Sequence, residues 1–120
     1  MNHIEDDHQA ALIRWARLQS KTTPELALLL HIPNGGRRNI REAARLKAQG
    51  VRAGVPDLLL PVSRFGRHGL WIELKAPKNG RVSADQKQWI EDLNKQGYAA
   101  MVCVGWLQAR DAIIDYLGGL

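Results

Sequence analysis

A chain of 120 residues, 45% hydrophobic and 24% charged, is long enough to bury a core, and the expectation is one globular domain over residues 1–120. No run reaches the roughly 18 to 20 apolar residues of a membrane span, and the opening MNHIEDDHQ is acidic where a secretory leader is basic and then apolar. Membrane-spanning and secreted classes are therefore set aside, and a cytoplasmic location is expected. The net charge of +5 is unevenly spread: residues 37–87 carry twelve Lys or Arg against four acids, net +8, and the remainder is −3. A polyanion is the partner that such a segment fits, because each phosphate neutralised releases condensed counterions; a merely soluble basic surface is the other reading. The single cysteine, Cys103, lies in AAMVCVG and reads as a buried small hydrophobe, not as a catalytic thiol.

In chain order, Leu12, Ile13, Trp15 and Ala16 recur at helical spacing and predict an amphipathic helix from Asp6 to about Ser20, with Glu5, Gln9, Leu12 and Ala16 on one face. After Pro24, LALLLHI is short and apolar, and both a buried strand and a helix are open; Pro33-Asn34-Gly35-Gly36 ends it. Residues 39–49 form a short basic helix stopped by Gly50. The period then changes: DLLLPV and LWIELKA flank a glycine-bounded loop and read as an antiparallel pair. Ser83 opens a helix through Trp89, Ile90 and Leu93 that closes at Gly97, YAAMVCVG is a third core strand, and WLQARDAIIDYL is a last helix. The result is an α/β layered domain.

The chemistry concentrates in Gly54-Val55-Pro56-Asp57 and Glu73-Leu74-Lys75. Side chains alternate along a strand, so Glu73 and Lys75 share a face while Ile72 and Leu74 take the other. If the two strands pair, Asp57 at the start of one arm lies opposite Glu73 near the end of the other, and two carboxylates converge with an ammonium. Hard oxygen ligands of this kind suit Mg²⁺ or Mn²⁺ and phosphodiester hydrolysis. A plain Glu73–Lys75 salt bridge is the structural alternative.

HIPNGG, GVPDLLLP, HGLWIELKAPKNGRVSADQKQWIEDLNKQGY and the acidic start before Gln9 resemble, in this order, the virus-type replication-repair nuclease (VRR-NUC) domain, a branch of the PD-(D/E)XK nuclease superfamily, in its stand-alone phage or bacterial form. The resemblance implies a restriction-endonuclease-like core, a mixed central sheet flanked by helices. It also implies Asp57, Glu73, Lys75 and Gln86 as catalytic residues, and Glu5, Asp57, Glu73 and the Leu74 carbonyl as metal ligands. A homodimer cutting branched DNA, such as a four-way junction, is implied too. Glu5 has rivals in Asp6 and Asp7, or the acidic turn only complements the helix dipole. Gln86, third after Ser83, is placed either as a capping residue or in the active site, the two roles being taken as exclusive; the resemblance favours the second.

His3, His8, His31 and His68 lack zinc-like spacing, and the Pro33–Gly36 turn lacks the ending of a phosphate loop. Asn34, Arg37, Arg38, Arg41 and Arg45, with Lys78 and Arg81, are the expected grip on the DNA backbone. The competing functional readings are a non-catalytic DNA-binding module on the same scaffold and a restriction-type duplex endonuclease. For the dimer, Trp15, Trp106, Ile113, Ile114, Tyr116 and Leu117 supply apolar candidates, some of which the core must claim.

Overall fold

In a computed structural model the described residues are 3–33, 39–78 and 80–120. The first helix, α1 (His3–Gln19), starts a turn earlier than its apolar pattern indicates, with Glu5 and Asp6 in the first turn, where the unsatisfied N–H groups favour negative charge. Leu12 and Ala16, one turn apart, are fully buried and fix the inward face. The leucine run after it realises both open readings in succession. Pro24, with its helical φ already set, begins a 3₁₀ turn, Pro24–Leu28, that buries Leu26. A two-residue strand, β1 (Leu30–His31), follows. The basic helix, α2 (Ile40–Ala48), is capped by Asn39, whose Oδ1 accepts the Glu42 N–H at 2.7 Å, and buries no residue.

Three further strands, β2 (Leu58–Leu60), β3 (Leu70–Lys75) and β4 (Ala99–Val104), join β1 in a sheet of order β1-β2-β3-β4. The first two pairings are antiparallel and β3–β4 is parallel. A parallel neighbour cannot be reached by a tight turn, and here α3 (Ala84–Lys95) makes the crossover. Asn94 of that helix seals the outer edge of β4: its Nδ2 donates to the Ala100 carbonyl and its Oδ1 accepts the Ala100 N–H, at 2.9 and 3.0 Å. The edge N–H and C=O of Ala100, which would otherwise be open to another strand, are thereby paired.

Alternation along β2 and β3 sets the layers. Leu58, Leu60, Leu70, Ile72 and Leu74 are buried in one apolar cluster with Leu12 and Ala16 of α1 and with Ala109 and Ile113 of α4 (Trp106–Leu117). Cys103 belongs to that cluster, as its sequence context indicates. Ile113, Tyr116 and Leu117 are likewise committed to the chain's own core, and Trp15 and Trp106 lie partly buried against it, which narrows the apolar surface left for a second copy. The opposite face of β3 carries Trp71, Glu73 and Lys75 and lies under α3, whose Trp89, Ile90 and Leu93 are half-buried.

Candidate active site

The hairpin register brings the two acids together. Leu58 pairs with Ile72, so the next position in each strand sets Asp57 opposite Glu73, both on the face away from the apolar cluster. Asp57 is held on two sides. Its Oδ2 accepts the Leu74 N–H at 3.0 Å, and its own carbonyl accepts the Ile32 N–H at 2.7 Å and lies 3.0 Å from His31 Nδ1. Within a strand the N–H and C=O of one residue point to the same edge, so the Leu74 carbonyl lies on the edge from which Asp57 reaches in. His31 is a supporting residue that sequence spacing alone did not single out; its placement depends on the short edge strand.

Glu73 is 3% exposed and Lys75 9%. Lys75 Nζ is 3.4 Å from Glu73 Oε2, and Gln86 Nε2 donates to the same oxygen at 3.1 Å. The other oxygen, Oε1, is buried with no hydrogen-bond partner. Gln86 at the same time completes the helix cap: its Oε1 accepts the Ser83 N–H at 2.9 Å while Ser83 Oγ accepts the Gln86 N–H at 3.1 Å. The expectation that capping and site roles exclude each other is thus corrected. A primary amide has an acceptor end and a donor end; Ser83 N–H donates to the first and Glu73 Oε2 accepts from the second, so one side chain serves both.

The segment before Asp57 is clamped to the first turn of α3. Gly54, at φ +88°, approaches so closely that a Cβ there would fall 2.7 Å from Asp85 C and Cβ and 2.9 Å from Gln86 N. Trp89 Nε1 donates to the Ala53 carbonyl at 3.0 Å, and the Arg52 guanidinium stacks 5.6 Å from the Trp89 ring centre. Asp57 and Gln86 are therefore fixed relative to each other by backbone contact. Gly80 does the same beyond β3: a Cβ there would meet the Ala76 carbonyl at 2.7 Å and Lys75 Cβ at 3.0 Å, so the loop bearing Lys78 folds back on Lys75.

Burial, and secondarily the neighbouring Asp57 carboxylate, push the Glu73 carboxyl from its ordinary 4.5 up to about 8; Lys75 opposes the shift without cancelling it. Two acids within hydrogen-bonding reach of each other, one with an orphaned buried oxygen, form a site that gains from a cation. Asp57 and Glu73 are brought together, with Lys75 and Gln86, and Leu74 on the adjoining edge. Glu5 is half-buried in the first turn of α1, whereas Asp6 and Asp7 are exposed. Among the described residues no three His, Cys, Asp or Glu side chains are grouped to hold a metal ion. Of the expected DNA contacts, Arg41, Arg45, Lys78 and Arg81 are exposed. Asn34, Arg37 and Arg38 lie outside the described residues.

The sequence pattern of the VRR-NUC domain matches residues 3–106, a span that holds the whole Asp57–Glu73–Lys75–Gln86 cluster. The chain belongs to the VRR-NUC family. A solved structure described as a VRR_NUC domain protein is similar to it at 34% identity, over 98% of this chain and 91% of that one, with a TM-score of 0.84. No curated protein matches. A VRR-NUC domain is a nuclease-type, DNA-processing domain, and the mixed four-stranded sheet flanked by helices is the fold expected of it. No helix among the described residues is long and apolar enough to cross a membrane.

Proposed function

We propose that this VRR-NUC chain is a divalent-metal-dependent DNA endonuclease that hydrolyses phosphodiester bonds in branched DNA, four-way junctions included, as a homodimer. The observation that carries the reading is the buried Glu73 beside the half-buried Asp57, with one Glu73 oxygen unpartnered and the other 3.4 Å from the Lys75 ammonium. Asp57, Glu73 and the Leu74 carbonyl would hold Mg²⁺ or Mn²⁺, with Glu5 as a further ligand brought in from α1. Such an ion supplies Lewis-acid polarisation and charge neutralisation at a phosphate. The remaining work falls to the chain. Gln86 holds Glu73 Oε2 and so keeps Oε1 turned to the site. Lys75, with little water around it, offers N–H donors where negative charge grows on the phosphate oxygens. Arg41, Arg45, Lys78 and Arg81 neutralise flanking phosphates, with Asn34, Arg37 and Arg38 as further candidates.

A 120-residue protomer offers one such site, and paired cuts in a four-way junction require two related by a twofold axis, which an isologous dimer provides. The test is a cleavage panel of linear duplex, splayed and four-way DNA in Mg²⁺, Mn²⁺, Ca²⁺ or chelator, with light scattering for mass. Cleavage confined to Mg²⁺ and Mn²⁺, preference for the four-way DNA, and about twice the 13.4 kDa chain mass are expected. Cutting that persists in chelator overturns the metal reading. A monomer that cuts linear duplex as readily overturns the junction reading and leaves the nuclease reading in place.

A further inference from the structure

At the end of the β2–β3 hairpin away from Glu73, Arg64 and Arg67 exchange both backbone hydrogen bonds, N to O at 3.1 and 2.8 Å, around the two residues Phe65 and Gly66. Both central residues sit at positive φ, +49° and +79°. That is the pattern of the tight hairpin turn that ordinarily carries Asn-Gly, and a phenylalanine in the left-handed region is strained. The residue is nevertheless 79% exposed. The tip is braced from behind: Tyr116 Oη donates to the Val62 carbonyl at 2.6 Å, and Gly118 leaves room for the Phe65 ring, whose Cζ would lie 2.8 Å from a Cβ there. Arg64 is paired with Glu25 while Arg67 is exposed, and residues 61–70 contain two arginines, a histidine and no acid.

We propose that this hairpin tip is a second DNA contact, in which Phe65 stacks on an unpaired base at a branch point and Arg67 holds the adjoining phosphate. A rigid, solvent-facing aromatic beside guanidinium groups matches what stacked single-stranded bases require. Glu25 compensates Arg64, and the exposed Arg67, with no acid in residues 61–70, favours a polyanion over an apolar protein surface. Phe65 precedes Glu73 by eight residues, a span of at most about 26 Å of extended chain, or roughly eight stacked nucleotides at 3.4 Å each. It would thus engage a different part of a branched substrate from the strand being cut. The inference rests on the DNA-processing reading and names the substrate feature that the chain detects.

Phe65→Asn is the decisive variant, because Asn enters the left-handed region more readily than Phe and the turn is kept. Binding by fluorescence anisotropy in chelator, where no strand is cut, compares a splayed-arm DNA with an uninterrupted duplex of equal length. Affinity for the splayed DNA falls roughly tenfold and that for the duplex changes less than about twofold. Arg67→Gln lowers the dependence of log affinity on log salt by about one unit for the splayed DNA. Unchanged affinity, an equal loss on both DNAs, or a change in oligomeric mass with affinity intact each overturn the proposal, the last by making the tip a protein contact. Loss of cleavage is read separately in the metal panel, so a failed stacking contact and a failed nuclease reading are distinguishable.

Discussion

The two faces of β3 differ in what they demand of their neighbours. Leu70, Ile72 and Leu74 are buried among apolar side chains, and their removal from water favours the folded state. Glu73 and Lys75, on the other face, are equally hidden from water, but Glu73 is left with an unpaired oxygen and a like charge beside it. The apolar face can tolerate no loss of volume, while the polar face carries an electrostatic cost that folding alone does not require. Strain of that kind, maintained within a well-packed sheet, marks the polar face as the one shaped by chemistry.

The largest effect expected is on the polar face. Asp57→Asn or Glu73→Gln lowers cleavage by at least about a thousandfold, since each removes a charge that would hold the metal. In Glu73→Gln the metal-free protein becomes more stable at pH 8, because an uncharged amide replaces a carboxyl whose ionised form burial and Asp57 disfavour. Cleavage rates and denaturant midpoints measured side by side check both signs. A variant that cuts at near wild-type rate removes the assignment, and one that is also less stable shows Glu73 to be a structural partner of Lys75. Leu74→Ala does the opposite. It costs roughly 2–5 kcal/mol of stability through the cavity it leaves, and a loss below about 1 kcal/mol would mean that the apolar face is less closely packed than it is here.

Period-two alternation made the division of faces legible in the sequence, and the antiparallel reading placed Asp57 opposite Glu73 because a hairpin leaves few registers. The leucine run at 26–32 was ambiguous because five of its seven residues are Leu or Ala, with no period to separate helix from strand. The dual role of Gln86 was missed by treating a side chain as having one hydrogen-bonding end. The tight meeting of Gly54 with Asp85, thirty-one positions on, could not be read at all, since nothing local to a glycine says which distant backbone will approach it. The commitment of Ile113, Tyr116 and Leu117 to the core depends on how α4 lies against the sheet, which its own periodicity does not fix.

A pH titration sharpens the contrast between the faces at intermediate cost. Well below pH 4.5, Glu73 is protonated in both the folded and the unfolded chain. Between 4.5 and about 8 the folded chain retains a proton that the unfolded chain has released. Stability contributed by the raised carboxyl is therefore lost as pH rises through that window. Without metal, the wild-type melting temperature falls from pH 5 to pH 8 relative to that of Glu73→Gln. Added Mg²⁺ restores more stability at pH 8 than at pH 5, as the ion takes the place of the proton. Parallel profiles for the two proteins would show that Glu73 is not the group responsible.

The smallest effect separates the two duties of Gln86. Ser83→Ala removes the hydroxyl that accepts the Gln86 N–H and leaves the Gln86 side chain able to reach Glu73. Gln86→Ala removes the reciprocal bond to the Ser83 N–H and the bond to Glu73 together. Each loses part of the same cap, so each costs on the order of 1 kcal/mol in denaturant unfolding. Their cleavage rates then diverge: the serine variant stays within about threefold of wild type, while the glutamine variant falls by tenfold or more, because a buried carboxylate oxygen has lost a donor worth roughly 1.5–3 kcal/mol. Near wild-type rates in both variants would reduce Gln86 to a capping residue. Equal and large losses would show that the cap itself sets the position of the α3 amide over Glu73, so that helix start and active site are one construction.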